Sequence, residues 1–258
     1  MMEKNEIKRK SKNTSWQKVS KWYGSIVGEK GHFYHQSLII PQTLKLLGIK
    51  AGDRLLDVAC GQGVLSRRLF GTVRYVGIDA SKNLIDEAKS LDSNKAHRYF
   101  VKDATKSFGF EETFNKAAII LALQNIKEPE KTLQHLSKVM EKSGKLVIVL
   151  NHPCFRIPRQ SSWEEDKTNK MQYRRVNRYM TPLEIPINTH PGDPNSEVTW
   201  SFHHPIEDYS NYLFGNGFLI EKIEEWTSEK KSEGKAAKME NRAREEFPMF
   251  MAILAVKK

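Results

Sequence analysis

The sequence has little cysteine and lacks long apolar runs. Only two cysteines, Cys60 and Cys154, occur in 258 residues, too few for a disulfide framework, and they form no CxxC pair for a metal site. The longest apolar stretches, residues 117–123 and 249–256, are far shorter than the ~20 residues that a membrane-spanning helix needs. The amino-terminal residues are charged and contain no apolar signal core. These absences favour a cytoplasmic protein that binds no metal ion and does not insert into a membrane.

The sequence carries an excess of positive charge. It has 42 Lys and Arg against 31 Asp and Glu, a formal net charge of +11. Part of this excess lies in residues 1–14, which show no apolar periodicity and are expected to form a flexible basic tail. Such a tail either keeps the protein soluble or weakly attracts RNA or another anionic surface. The hydrophobic content of 39% suffices for one core, in a single domain of residues 15–258.

A buried strand followed by a glycine turn is predicted at residues 55–63, which read LLDVACGQG. Gly61 and Gly63 lack the Cβ atoms that would keep a ligand away from the backbone. A helix is expected to follow at residues 64–69, with its amino end toward the ligand. On its own, the G-x-G turn is equally typical of a strand-to-helix connection that binds nothing.

Three predicted strands each close on an acid, at Asp57, Asp79 and Asp103, which favours one ligand lying across their carboxyl ends. A carboxylate at Asp79 suits the vicinal diol of a ribose. A dinucleotide fits poorly, because Asp57 would repel its pyrophosphate and Ser66 stands where the dinucleotide fingerprint has Gly or Ala. A cationic nucleoside without phosphate, such as S-adenosylmethionine, fits better.

Six segments in sequence order resemble the class I S-adenosylmethionine-dependent methyltransferases, and the resemblance covers residues 16–258. They are LLDVACGQG (55–63), YVGIDAS (75–81), VKDAT (101–105), FNKAAIILALQNI (114–126), KLVIVLNHP (145–153) after a Ser143-Gly144 turn, and a closing hairpin of LIEKIEEW (219–226) and FPMFMAILAVKK (247–258). The resemblance implies an α/β, Rossmann-like, doubly wound sheet of seven strands, mostly parallel with an antiparallel last strand. It also implies that S-adenosylmethionine is the methyl donor.

The resemblance also assigns the cofactor contacts, residue by residue. Asp57 and the backbone at Gly61 and Gly63 would hold the methionine part, Asp79 the ribose, and Asp103 with Ala104 the adenine. Leu121 would add backbone contacts, and Ala59 and Ala80 are also expected to bind the cofactor. Two positions depart from the family pattern: Ala59 replaces the usual first glycine, and Asn115 replaces the Asp that usually opens the fourth strand.

The regions outside the nucleotide-binding core of residues 50–151 are expected to build the acceptor side. Residues 15–49 predict a helical cap, in which the glycine-rich residues 24–35 form either a lid or a plain loop. Residues 152–205, rich in proline and arginine and without regular periodicity, are expected to form an inserted acceptor lobe after strand five. Residues 206–258 would supply a closing helix and hairpin.

The transfer reaction needs mainly positioning, because an acceptor O, N or C atom attacks the sulfonium methyl group in line. Where the acceptor must lose a proton, histidine is the natural base. His152 is the first candidate and His35 another, while Tyr34 could orient the acceptor; alternatively, each histidine satisfies loop backbone groups. Arg156 and Arg159 indicate an anionic acceptor, because a guanidinium binds a carboxylate in bidentate geometry, unless they pair with nearby acids.

Three classes of function remain open. The chain is interpreted first as a methyltransferase for small, possibly anionic molecules. The alternatives are an RNA (tRNA or rRNA) methyltransferase that uses the basic tail, and a non-catalytic regulator that binds S-adenosylmethionine. Residues 121–126, LALQNI, lack the Asn/Asp-Pro-Pro-aromatic run found after the fourth strand of enzymes that methylate amino groups of bases, which favours the small-molecule class. The sequence makes no prediction of the acceptor's identity or of the oligomeric state.

Overall fold

Seven strands form one sheet in the part of the chain that the computed structural model describes, residues 16–188 and 196–258. In sheet order they are β10 (Phe218–Trp226), β11 (Phe250–Lys257), β5 (Met140–Asn151), β4 (Phe114–Ile120), β1 (Arg54–Val58), β2 (Arg74–Asp79) and β3 (Arg98–Val101). Strand β11 runs antiparallel to both neighbours, and the other pairings in the sheet are parallel. The Rossmann-like sheet with an antiparallel last strand is therefore confirmed. The predicted basic tail lies outside the described residues.

Six α-helices connect and cover these strands within the described residues. They are α1 (Ser20–Val27), α2 (Ile40–Leu47), α3 (Lys82–Leu91), α4 (Pro129–Val139), α5 (Ile206–Gly215) and α6 (Ala237–Glu246). Local chemistry explains several of their ends. Ser81 is the N-cap of α3, and its hydroxyl accepts a hydrogen bond from the Leu84 amide. Helix α4 has a proline in its first turn. Of the helices that can be described, none is long and apolar enough to cross a membrane.

The central strands are buried on both faces, which explains their continuous apolar runs. All five residues from Leu146 to Leu150 in β5 are fully buried. On one face the sheet packs against α4 and α5 through Leu133, Leu136 and Leu213. On the other it packs against α2 and α3 through Leu47 and Ile85. Because helices cover both faces, the ends of the parallel strands remain as the place where a ligand can reach the sheet.

The prediction of a helix at residues 64–69 is wrong. Only one short 3-10 turn, Ser66–Arg68, is present, and the chain is extended again at Leu69. The Ser66 hydroxyl turns back to donate to the Gly63 carbonyl at 2.8 Å, and such local bonds compete with helix formation. No helix dipole of useful length therefore points at the glycine turn.

The segment between β5 and α5 contains two hairpins where the sequence indicated no regular structure. The first pairs β6 (Ser161–Asp166) with β7 (Met171–Val176), and the second pairs β8 (Leu183–Asn188) with β9 (Val198–His203). Both are two-stranded sheets separate from the main one. Strand β9 packs against residues 123–125, which follow β4. The second hairpin thereby lies at the carboxyl ends of the parallel strands.

The close packing of β2 against neighbouring side chains can be tested at Gly77. A Cβ atom there would lie 2.8 Å from the Cys60 Sγ and 2.9 Å from the Tyr75 hydroxyl. Gly77→Ala is therefore expected to lower the free energy of unfolding by about 1–3 kcal/mol, the usual cost of overpacking, measured by chemical denaturation. Gly71→Ala is the matched control, because no atom lies within 4 Å of the added Cβ. Equal stability of the two variants would contradict the close approach at Gly77.

Candidate functional site

A cavity of about 1100 Å³ opens at the carboxyl ends of the parallel strands. Asp79 and Asn151, the last residues of β2 and β5, both line it. Seven of the residues predicted to contact the cofactor also line it, namely Ala59, Gly61, Asp79, Ala80, Asp103, Ala104 and Leu121. Pockets for one small ligand usually enclose roughly 300–1,000 Å³. The cavity therefore has room for two small molecules side by side.

Asp79 is held by two backbone amides. Its Oδ2 accepts a hydrogen bond from the Gly61 amide at 3.0 Å, and its Oδ1 accepts one from the Ser81 amide at 2.8 Å. The side chain is buried, and burial raises its pKa above the ordinary value, while the two amides oppose this shift. Each carboxylate oxygen keeps a further lone pair, so Asp79 can still accept hydrogen bonds from a diol.

Asp57 lies beneath the glycine turn and is not among the residues that line the cavity. It is 3% exposed, and the Tyr75 hydroxyl donates to its Oδ2 at 2.8 Å. Burial raises the pKa of Asp57 to about 7, and the charge of Asp79 adds to this shift while the Tyr75 hydrogen bond opposes it. Its influence on a ligand in the cavity is therefore electrostatic rather than a direct contact.

Gly63 also lies outside the cavity lining and serves the packing of the turn. Its φ is +73°, and a Cβ atom there would lie 3.0 Å from the Tyr99 hydroxyl and 3.2 Å from the Ser66 hydroxyl. Tyr99 also donates a hydrogen bond to the buried Asp92. A buried polar network of Ser66, Tyr99 and Asp92 thus holds the turn in place, and Gly61 is the glycine of the turn that lines the cavity.

Aromatic side chains at the amino-terminal end cover the cavity. Trp16, Trp22 and Tyr23, all within the predicted helical cap, line it. The rings of Trp16 and Tyr23 meet edge to face at 5.3 Å. The neighbouring Gln17 accepts a hydrogen bond from the Ser81 hydroxyl at 3.0 Å, which attaches this segment to the start of α3. The helical spacing of these aromatic residues in the sequence could not show whether they pack against the sheet or line a cavity.

Tyr34 and His35 both line the cavity, whereas residues 24–27 of the predicted lid or loop belong to helix α1. The hydroxyls of Tyr34 and Ser228 are 2.7 Å apart. His35 is 7% exposed, and its Nδ1 has no hydrogen-bond partner among the described residues. Burial and the nearby His32 lower the pKa of His35 to about 4. His35 is therefore neutral at neutral pH, the state in which an imidazole can accept a proton.

The structure does not bring His152 to the cavity. Its Nε2 lies 2.7 Å from a carboxylate oxygen of Glu225, and its Nδ1 accepts from the Cys154 amide at 3.1 Å. The residue is 1% exposed, and burial lowers its pKa while Glu225 opposes this shift. With both ring nitrogens engaged, His152 anchors the chain after β5. The sequence placed it correctly after the strand but could not show which way the ring points.

Arg156 lines the cavity, whereas Arg159 does not. Within the described residues, the guanidinium of Arg156 has no hydrogen bond or ion pair, and the nearby acid Glu164 pairs instead with Arg175 at 3.2 Å. Burial lowers the pKa of Arg156. The cavity lining thus contains a cationic group that pairs with no acid in the described part of the chain.

Several cavity residues were not predicted from the sequence. Gln124 follows β4 on the short turn after Leu121, whose φ is +51°. Ile187, Thr199 and Trp200 come from the β8–β9 hairpin. The hairpin pattern of alternating residues was interrupted by proline and hidden among charges, so no clear signal could have identified them. In the described part of the chain, no three His, Cys, Asp or Glu side chains form a group that could hold a metal ion.

Comparisons with known proteins agree with this geometry. The sequence profile of the methyltransferase domain family matches residues 49–203. The 2-phytyl-1,4-naphtoquinone methyltransferase of Trichormus variabilis is 27% identical over 154 residues, which cover 56% of this chain and 61% of that protein. The demethylmenaquinone methyltransferase of Staphylococcus saprophyticus is 23% identical over 196 residues, covering 72% of this chain and 78% of that protein.

A solved structure supports the fold. The S-adenosylmethionine dependent methyltransferase of Mesorhizobium loti superposes with a TM-score of 0.68, at 22% identity, over 84% of this chain and 96% of that one. At this identity the likeness concerns the fold alone. The aligned part of the chain spans about six tenths of the Trichormus relative's length.

Proposed function

The chain belongs to the methyltransferase domain family, and on this premise we propose that it transfers a methyl group from S-adenosylmethionine to a small organic acceptor. The observation that carries the proposal is the single cavity, in which a nucleoside end with acidic side chains continues into an acceptor end that contains Arg156. Both reactants can lie in one enclosure, and alignment of two bound reactants supplies several kcal/mol of the barrier reduction.

The cofactor end suits a cationic nucleoside. Asp79 accepts hydrogen bonds from the ribose hydroxyls, and Asp103, Ala104 and Leu121 surround the base. The buried carboxylates of Asp57 and Asp79 favour positive charge nearby. When bound, S-adenosylmethionine supplies an electrophilic methyl group on a sulfonium. The protein's own part is to hold and orient it and to exclude water from the cavity.

The acceptor end is formed by residues 32–35 of the cap and by the inserted segment after β5. Where the acceptor must lose a proton, the base we assign is His35, because its imidazole lines this end of the cavity. Its lowered pKa keeps it neutral but makes it a weaker base than an ordinary histidine. Tyr34 orients the acceptor from the same segment. Arg156 binds an anionic group of the acceptor. The names of the relatives, both quinone methyltransferases, support a small organic acceptor rather than a nucleic acid.

Calorimetry and label transfer test this proposal. S-adenosylhomocysteine is expected to bind in the micromolar range, and NAD to release no heat, because a pyrophosphate is repelled by the acidic strand ends. With methyl-labelled S-adenosylmethionine and a cell extract, label is expected in the low-molecular-mass fraction. Label in RNA would establish the nucleic-acid alternative, binding without transfer would indicate a regulator, and tight binding of NAD alone would overturn the proposal.

A further inference from the structure

The connecting segment, residues 28–31, joins helix α1 to the cavity residues Tyr34 and His35. Residues 28–30 are exposed, so burial of their side chains does not hold the segment in place. Within the segment, the Gly31 amide donates to the Gly28 carbonyl at 3.3 Å, a long hydrogen bond that leaves the position of the segment on the protein open. Contacts from outside the segment therefore decide how firmly the acceptor end is placed.

Gln62, which lies between the two glycines of the glycine turn, supplies the first of these contacts. Its Nε2 donates to the Gly28 carbonyl at 2.5 Å, and the residue is buried. Breaking a buried hydrogen bond is costly, because the donor then has neither water nor another partner. The glycine turn and the start of the connecting segment are therefore held together.

Arg67 joins the same two parts of the chain through one guanidinium. Its Nη1 donates to the Gln62 carbonyl at 2.5 Å, and its Nη2 donates to the Glu29 carbonyl at 2.6 Å. Because the guanidinium is planar and rigid, it fixes the directions of both hydrogen bonds relative to each other. One rigid group thus bridges a carbonyl of the turn and a carbonyl of the connecting segment.

The end of the connecting segment packs directly on the residue that follows the turn. A Cβ atom at Gly31 would lie 2.9 Å from the Val64 Cγ1 and 2.7 Å from the His35 Cβ. Groups packed this closely cannot move independently. A change in the position of the turn is therefore transmitted to His35.

The same turn forms one side of the donor end. Gly61 lines the cavity, and its amide donates to the Asp79 Oδ2 at 3.0 Å. A ribose held by Asp79 would restrict the backbone at Gly61 and hence at Gln62, the next residue. Recognition of the donor and placement of the acceptor end thus depend on one short stretch of chain.

We propose that Gln62 and Arg67 are positioning residues that couple the two ends of the cavity, so that a bound donor orders residues 28–35 before the acceptor enters. This inference rests on the proposed function and extends it to the order of binding. Ordering a segment costs conformational entropy, and an acceptor that meets an already ordered segment binds without this cost. Neither side chain lines the cavity, so both act through the backbone that they hold.

Hydrogen exchange measures this coupling. The amides of Gly31, Tyr34 and Gln36 each donate a hydrogen bond within the cap, so their exchange reports its opening. Peptides covering residues 28–36 are followed by mass spectrometry in the wild type, Gln62→Met, Arg67→Gln and the double variant. Each protein is measured alone and saturated with S-adenosylhomocysteine, above the Kd that calorimetry gives for that protein.

In the wild type, the ligand is expected to slow exchange of residues 28–36 about tenfold, because closing hydrogen bonds of this kind each shift the opening equilibrium several-fold. Each single variant should retain slowing of about threefold, and the double variant none. The ratio of the rates without and with ligand is the decisive quantity. A merely structural role would speed exchange in both states and leave this ratio unchanged.

Two controls accompany the test. Peptides covering residues 77–85, which contain the ribose carboxylate Asp79, should be protected by the ligand in every variant and so show that it is bound. Arg68→Gln removes an exposed neighbouring arginine and is expected to behave as the wild type. If Gln62→Met does not fold, Arg67→Gln alone decides, because that side chain is only half-buried.

An unchanged ratio in Arg67→Gln and in the double variant would refute the coupling. So would a wild type in which the ligand protects residues 77–85 but not residues 28–36, and in both cases the proposed donor site would still stand. If S-adenosylhomocysteine releases no heat and protects neither segment, the proposed function is wrong and the coupling is wrong with it.

Discussion

Asp79→Ala is expected to weaken the binding of S-adenosylhomocysteine by at least about 100-fold, since each hydrogen bond to a charged group contributes about 1.5–3 kcal/mol and a ribose diol offers two. The carboxylate is already oriented by the amides of Gly61 and Ser81, so no ordering cost offsets these bonds. Isothermal calorimetry with the demethylated product measures the affinity without turnover.

Two further variants test whether the loss of affinity comes from the Asp79 carboxylate itself. Asp79→Asn keeps the size of the side chain but replaces one accepting oxygen by a donor that faces a backbone amide, so it is expected to lose most of the affinity as well. Asp86→Ala removes an exposed acid on α3 that pairs with Lys82 at 2.5 Å, and its affinity should equal that of the wild type. A folded Asp79→Ala protein with near-wild-type affinity would show that the ribose binds elsewhere.

Asp57→Asn is expected to change how stability depends on pH. The folded-state pKa of Asp57 is about 7, raised by burial from an ordinary value of 3.8, so the folded protein binds this proton more tightly than the unfolded chain does. The stabilisation of the folded state that comes from protonated Asp57 is present in full below the ordinary pKa of 3.8. It is lost as the pH rises through the folded-state pKa. At alkaline pH, the buried charge costs about 4 kcal/mol relative to acid conditions.

The asparagine variant does not titrate, so its stability relative to the wild type should rise with pH. We expect the difference in free energy of unfolding to grow by about 3 kcal/mol between about pH 4.5 and about pH 8. Chemical denaturation of both proteins at several pH values measures it. Any constant cost of the amide group cancels in this comparison, and a difference that does not vary with pH would contradict the raised pKa.

The main sheet could be predicted because burial leaves a plain pattern in the sequence. Strands covered on both faces, such as β5, need continuous apolar residues, and their alternation with helices is typical of a parallel sheet. The pattern could not show how deep each acid lies. Asp79 ends β2 and lines the cavity, whereas Asp57 is the penultimate residue of β1, pairs in register with Gly77, and does not line it.

The acceptor side was less predictable, for identifiable physical reasons. The hairpin strands β6 and β7 are largely exposed, so neither face needs apolar residues and no alternation develops. The direction of a ring, as at His152, depends on a partner 73 residues away, Glu225. Arg156 and His35 were recognised as candidates from their residue types alone, because a guanidinium binds anions and an imidazole accepts protons whatever surrounds them. Gln124 also lines the cavity and was missed because neither its residue type nor its spacing in the sequence indicates a site.

The separateness of the β8–β9 hairpin has an evolutionary consequence. This hairpin forms its own two-stranded sheet and contributes Ile187, Thr199 and Trp200 to the cavity lining, whereas the proposed donor contacts come from the central sheet. On the proposed function, substitutions in the hairpin are expected to change which molecule is methylated without disturbing the central sheet. An arrangement of this kind would let substrate preference evolve through a peripheral hairpin while the nucleoside-binding strands stay unchanged.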